Sequence, residues 1–137
     1  MAYLARREHT ALELTRKLTQ KGYELHIIKP TLEQLASDNL LSEYRYALLA
    51  IEHRQKKSPE GRVLMAQRLG EKGVNREDAQ RALDELYGEE AIVEYVQKAY
   101  SQAIRKVGED KARYLLQKKG FSSYEIRLGL EGFEKSE

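Results

Sequence analysis

Apolar residues recur along this chain at fixed distances from three glycines, Gly22, Gly73 and Gly120. An apolar residue lies eight positions before each glycine, and others lie six, ten and thirteen positions after it: Leu14, Met65 and Ala112 before, and Ile28, Leu32, Leu35, Ala79, Leu83, Leu86, Ile126, Leu130 and Phe133 after. These spacings place one apolar stripe on a helix before each glycine and another on a helix after it. The pattern predicts three equivalent pairs of helices.

The residues around each glycine have the pattern of a helix end. A glycine one position past a helix end adopts the left-handed conformation without a Cβ penalty, and the next residue folds back onto the residue three positions from the end. Both members of each such pair are apolar here, namely Leu18 with Tyr23, Leu69 with Val74 and Leu116 with Phe121. We therefore predict that a helix ends at each glycine and that each pair packs together.

The spacing of the three glycines indicates tandem repeats. They are 73 − 22 = 51 and 120 − 73 = 47 residues apart, near the period of helical-hairpin arrays. The chain has only two prolines and no strand-like runs of β-branched residues. The sequence therefore predicts an all-α fold of three tandem three-helix repeats, at residues 1–38, 39–87 and 88–137, in one continuous array without independent domains.

Capping residues predict where several of the nine helices begin. A first short helix is expected to end near residue 8, and the caps of later helices are Thr10, Ser42, Asn75 and Ser122. The helix after Ser42 is expected to bury Tyr46, Leu49 and Ile51, with Leu48 beside them.

Two prolines affect local predictions. Pro30 lies inside a helix expected over residues 25–37, which must then start late or kink, and Pro59 is expected to open the next helix.

Composition narrows the class of protein without naming a function. Charged residues make up 34% of the chain, yet the net charge is only +2, so any role in binding nucleic acid depends on local clusters. There is no cysteine, which excludes disulfides and thiolate chemistry. No apolar run approaches the roughly 20 residues that span a bilayer, and the first residues lack the apolar segment of a signal peptide. We expect a soluble, cytoplasmic protein.

Two sets of basic residues are candidate binding sites. The first comprises Arg54, Lys56, Lys57 and Arg62, which could contact DNA phosphates or an acidic partner, or could be a solvated helix end. The second set recurs in kind from repeat to repeat and would lie along one side of a regular array, or be ordinary exposed helix faces. Its members are Arg16, Lys17, Lys21, Arg68, Lys72, Arg113, Lys118 and Lys119.

The sequence shows no active site. The three histidines, His9, His26 and His53, lack metal-ligand spacing, and there is no glycine-rich phosphate loop. Most of the nine tyrosines lie on apolar stripes, which favours packing over base stacking. We predict a protein that is not an enzyme and that needs no cofactor or metal.

Several motifs follow one another in order along the chain: Ala5-Arg6-Arg7-Glu8-His9, then Glu13-Leu14-Thr15-Arg16-Lys17-Leu18, Lys21-Gly22, Leu40-Leu41, Arg45-Tyr46-Ala47, Arg54 and Lys72-Gly73-Val74. This ordered series resembles the RecX family, regulators of the RecA recombinase. The chain differs from the family in two places. It has Pro59-Glu60-Gly61-Arg62 where the family commonly has Gly-x-Gly-Pro, and Ser42-Glu43 where acidic residues commonly follow the leucine pair.

The resemblance implies a function and a shape. A RecX protein would be an elongated, curved monomer that binds RecA and the RecA filament on single-stranded DNA. There it would inhibit strand exchange, ATP hydrolysis and filament extension. Weak direct DNA binding remains open. The alternatives are a helical-repeat scaffold for another protein and a helix-turn-helix DNA-binding module. The acidic second helices, with Glu77, Asp78, Asp84 and Glu85, count against the DNA-binding module.

Overall fold

The computed structural model describes residues 8–135, and their side chains as far as residue 131. This part of the chain contains eight α-helices: α1 Ala11–Gln20, α2 Leu25–Ser37, α3 Glu43–Lys57, α4 Arg62–Glu71, α5 Arg76–Leu86, α6 Glu89–Val107, α7 Glu109–Lys118 and α8 Ser123–Lys135. The prediction of an all-α fold is confirmed. The short first helix that the sequence predicts would fall mostly on residues 1–7, outside the described residues.

The helices form three repeats, with α1 and α2 in repeat 1, α3 to α5 in repeat 2, and α6 to α8 in repeat 3. Helix α1 packs on α2, α5 packs on α3 and α4, and α6 packs on α7 and α8. All four predicted caps are present, because the side chains of Thr10, Ser42, Asn75 and Ser122 each accept a backbone N–H three residues on. Helix α2 begins before Pro30, which is its sixth residue, so the helix does not start late.

The predicted helix ends at the three glycines are confirmed. Gly22, Gly73 and Gly120 have φ of 96°, 89° and 87°. In each turn the N–H after the glycine donates to the carbonyl three positions before the helix end, at 3.1, 3.0 and 3.2 Å, and the glycine N–H donates at 3.0 Å to the next carbonyl. This is the double hydrogen bond of a Schellman motif.

Three details of the predicted packing are wrong. Leu49 is 53% exposed, because the buried face of α3 follows Ala47, Ile51 and Gln55 at four-residue spacing and Leu49 lies on the opposite side. Tyr23 makes the predicted backbone hydrogen bond, but its ring is 54% exposed and lies outside both apolar clusters described below. Pro59 does not open a helix, since α4 begins at Arg62 with Gly61 as its N-cap.

The apolar side chains form two cores of unequal size. Leu14, Ile28, Leu32 and Leu41 make a small core within repeat 1 and the segment that leaves it. A larger core joins repeats 2 and 3 and includes buried residues from every one of their helices. Repeats 2 and 3 are therefore held together by apolar burial, whereas repeat 1 has an apolar core of its own.

The same kind of junction joins each repeat to the next. In each case the beginning of a helix contacts the glycine turn of the next repeat: α1 contacts the turn at Gly73, and α4 contacts the turn at Gly120. At the first junction, the Thr10 hydroxyl donates to the Lys72 carbonyl at 2.7 Å, and a Cβ added to Gly73 would lie 2.5 Å from Leu12 Cβ.

At the second junction, the Gly61 N–H donates to the Lys119 carbonyl at 2.8 Å, and a Cβ on Gly120 would lie 2.4 Å from Leu64 Cβ. A Cβ on Gly61 would lie 2.1 Å from the Gly120 carbonyl oxygen, so this position has no room for a side chain.

Candidate functional site

The loop between α3 and α4 is fixed from inside the protein. Gln55 is buried on the inner face of α3, and its side chain binds the backbone of Glu60 through both the N–H and the carbonyl, at 2.8 and 2.9 Å. The Tyr87 hydroxyl donates to the same carbonyl at 2.8 Å. Burial raises the pKa of the Tyr87 phenol, which keeps the hydroxyl protonated as a donor. These bonds leave this loop little freedom to move.

A carboxylate lies at the centre of this loop. Glu60 is 4% exposed, and Arg68 binds it with two parallel hydrogen bonds of 2.6 and 2.7 Å. The Arg54 Nε is 3.8 Å from the same carboxylate. Hydrogen bonding to Glu60 raises the pKa of Arg68, so this guanidinium stays charged. The pair satisfies the buried charge of Glu60, and the Arg68 guanidinium, although its side chain is 41% exposed, is engaged by this internal carboxylate.

The first basic set divides into two parts. Lys56 and Lys57 are exposed in the last turn of α3, and Arg54 lies half-buried beside them against Glu60. Arg62 is bound to Asp84 of α5, and this hydrogen bond lowers the pKa of the Asp84 carboxyl. Lys56 and Lys57 are therefore the members of this set whose charges face solvent most openly.

The second basic set does not form one uniform row. Arg16, Lys72 and Arg113 are exposed, as are Lys21 and Lys118. Lys118 lies 5.1 Å from the centre of the Tyr114 ring. Lys17 Nζ is 3.2 Å from His9 Nε2, and Lys119 Nζ donates to Ser58 Oγ at 2.8 Å, so both are half-buried. With Arg68 bound to Glu60, each repeat contributes a mixture of solvent-facing and internally bound cations.

Sequence reasoning missed the residues that fix the loop. Gln55 gave a usable signal, because a polar residue on the stripe of Ala47 and Ile51 indicates a buried hydrogen-bonding role. Glu60 gave none, since a carboxylate between a proline and a glycine normally reads as an exposed turn residue. Its partner Arg68 lies eight residues away on α4, and only the fold brings the two together.

The described residues contain no group of three or more histidines, cysteines or carboxylates that could hold a metal ion. Across that same part of the chain, no helix is both long and apolar enough to cross a membrane. Most of the described tyrosines face the protein; Tyr95, for example, donates to the Leu86 carbonyl at 2.9 Å and packs edge-on against Tyr87. Tyr23, Tyr114 and Tyr124 are the more exposed rings.

Known proteins resemble this chain over most of its length. A family model for the first three-helix domain of RecX matches residues 1–35. "Regulatory protein RecX" of Halorhodospira halophila is 35% identical over an alignment 133 residues long, which covers 90% of this chain and 79% of that protein. The protein of the same name from Pseudomonas putida is 45% identical over 85 residues, 62% of this chain and 59% of that relative. That match thus spans less than two thirds of the Pseudomonas protein.

Two crystal structures share the fold. One, of the regulatory protein RecX, superposes with a TM-score of 0.83 at 23% identity, covering 95% of this chain and 68% of the other. The second, RecX from Lactobacillus salivarius, gives a TM-score of 0.82 at 21% identity, with 97% and 90% covered. The conserved fold agrees with the sequence relationship to the Halorhodospira protein, and the chain is therefore a member of the RecX family.

Proposed function

We propose that this protein binds RecA and the RecA filament on single-stranded DNA, and inhibits recombination, ATP hydrolysis and filament extension. It acts in the cytoplasm as a monomer, by binding and without catalysis. The observation that carries the proposal is the relationship to regulatory RecX proteins over 133 residues, together with the shared fold. The absence of metal-binding clusters among the described residues fits a function that depends on contact.

The exposed end of α3 is the best-supported contact surface. Lys56 and Lys57 present two adjacent cations, and the bonded loop behind them holds the helix end in place. Cations at one edge concentrate positive potential and attract DNA phosphates or an acidic protein surface. Arg54 contributes to this potential, but it also lies against the buried Glu60 carboxylate.

The test is the ATPase activity of the cognate RecA on single-stranded DNA, measured with increasing amounts of this protein. The informative variant is Lys56→Glu with Lys57→Glu, because it leaves the Arg54 contact to Glu60 intact. Its matched control is Lys29→Glu with Arg127→Glu, which changes the net charge equally at exposed positions on α2 and α8. Circular dichroism should show equal helix content in all three proteins, since exposed substitutions usually shift stability by no more than about 0.5 kcal/mol each.

We expect wild type and control to inhibit alike, and the α3 variant to need about tenfold more protein, because attraction becomes repulsion at two positions. The difference should shrink as salt rises. No inhibition by folded wild type would reject the RecA proposal and favour a scaffold for another partner. Equal inhibition by the α3 variant would reject this surface alone and favour the side that carries Arg16 and Arg113.

A further inference from the structure

A cavity lies where repeats 2 and 3 meet, behind the end of α3. Its volume is about 240 Å³, and its polar lining consists of Ser58, Gln102, Lys106 and Lys119. Ala99, Ala103 and Leu115 form its apolar wall. The cavity is smaller than the roughly 300–1,000 Å³ typical of drug-sized ligands, so it suits a small group.

The cavity carries an excess of positive charge. Lys119 Nζ is half-buried and donates to Ser58 Oγ at 2.8 Å. Burial lowers the pKa of Lys119, and the charges of Lys106 and Arg54 lower it further. Glu60 is the charge that opposes this effect. A bound anion would therefore stabilise the charged form of Lys119.

The Glu60 carboxylate and the backbone carbonyls around this cavity already accept hydrogen bonds from protein groups. The Glu60 carboxylate is bound by the two hydrogen bonds from Arg68. The helix-end carbonyls around the cavity are also bonded: the Lys57 carbonyl accepts from Gln102 at 3.1 Å, and the Lys119 carbonyl accepts from the Gly61 N–H at 2.8 Å. Glu60 therefore offsets the charge of Lys119 only in part, because its carboxylate is already paired with Arg68.

We propose that this cavity binds a phosphate group. Lys106 and Lys119 would supply two point charges, and the Ser58 hydroxyl would supply a third donor. Lysine binds phosphate as a point charge, whereas a planar carboxylate is best matched by the fork of an arginine. Arg54 and Arg68 face Glu60 and do not line this cavity, which leaves lysines and a hydroxyl for a tetrahedral oxyanion. The site does not depend on RecA.

The proposal can be tested with inorganic phosphate and the full-length protein. Amide and lysine side-chain signals would be followed by NMR while phosphate is added at constant ionic strength. We expect saturable shifts at Ser58, Gln102 and Lys119, and a rise in the pKa of the Lys119 ammonium. The variant is Lys106→Gln, and its matched control is Arg105→Gln, which removes one exposed cation from the neighbouring position of α6 but does not line the cavity.

Lys106→Gln should weaken phosphate binding about tenfold, the loss of one charge-assisted hydrogen bond, while Arg105→Gln should bind as wild type does. Absence of saturable shifts in the wild type, or equal binding by the two variants, would overturn the proposal. Acetate binding as tightly as phosphate would also overturn it, in favour of a carboxylate site. A single-stranded oligonucleotide distinguishes the sources of phosphate: if Lys106→Gln weakens oligonucleotide and phosphate binding alike, the ligand is a DNA backbone phosphate. If only phosphate binding weakens, it is a free phosphate compound.

Discussion

The glycine turns allow the contact between repeats to be measured separately from backbone strain. Gly22 and Gly120 have nearly the same left-handed conformation, with φ of 96° and 87°. A Cβ at Gly22 would meet no atom within 4 Å, whereas at Gly120 it would lie 2.4 Å from Leu64 Cβ and 2.9 Å from the Leu64 backbone nitrogen. Alanine should therefore cause the same backbone strain at both positions, but a steric clash with Leu64 only at Gly120.

The expected magnitudes follow from these two terms. A non-glycine residue in the left-handed conformation costs roughly 1–2 kcal/mol. Overpacking adds about 1–3 kcal/mol where neighbours must move, and here one neighbour is backbone. We expect Gly22→Ala to lower the free energy of unfolding by about 1–2 kcal/mol and Gly120→Ala to lower it by about 2–5 kcal/mol. Gly73→Ala should resemble Gly120→Ala, because its Cβ would lie 2.5 Å from Leu12 Cβ.

The assay is equilibrium unfolding in urea followed by circular dichroism, with NMR amide signals from α1 and α2 recording repeat 1 separately. Separate signals are needed because repeat 1 has its own core and could unfold before the rest. If the three alanine variants lose equal stability, the glycines serve only to end helices, and the close junction between repeats described above is wrong.

Other contacts give three further predictions. Arg68→Ala should cost about 2 kcal/mol in urea unfolding, because Glu60 stays buried and loses its two charged donors; an unchanged midpoint would show that the pair contributes nothing. Glu43→Ala should speed amide exchange in α1 and α2 but not in α6 to α8, because Glu43 accepts the Ala11 N–H at 3.0 Å and thereby joins repeats 1 and 2. An equal change of the exchange rate in all these helices would contradict this. Burial raises the pKa of Tyr87 above its usual 10.0, so the unfolded chain loses this proton at a lower pH than the folded protein does. The melting temperature should therefore fall as the pH rises above about 10. Tyr87→Phe should make that fall less steep, and an unaltered slope would refute the assignment.

Local patterns in the sequence were sufficient to predict the elements of the fold. Capping residues and the glycine turns depend on contacts within a few residues, so Thr10, Ser42 and Gly120 could be assigned from sequence alone. The beginning of α5 at Arg76 was predicted because Asn75 is a favourable N-cap, and its side chain accepts the Asp78 N–H. On α3, Ile51 is buried and Tyr46 and Leu48 pack against the larger core as predicted. Leu49 was wrong, because several apolar residues made two stripes plausible and only packing against α5 selects the face of Ala47.

The sequence alone was enough for the all-α class, the threefold repetition and most helix ends, because caps and glycine turns form bonds within a few residues. The beginning of α4 at Arg62 was an exception. The tertiary structure alone decided which cations are available for binding. Arg68 and Arg62 have the same charge as Lys56 and Lys57, yet the fold binds the arginines to Glu60 and Asp84 and leaves the lysines exposed. Whether a cation faces solvent or binds a carboxylate depends on partners on other elements of the fold, 8 residues away for Arg68 and 22 for Arg62, and no local pattern predicts these contacts.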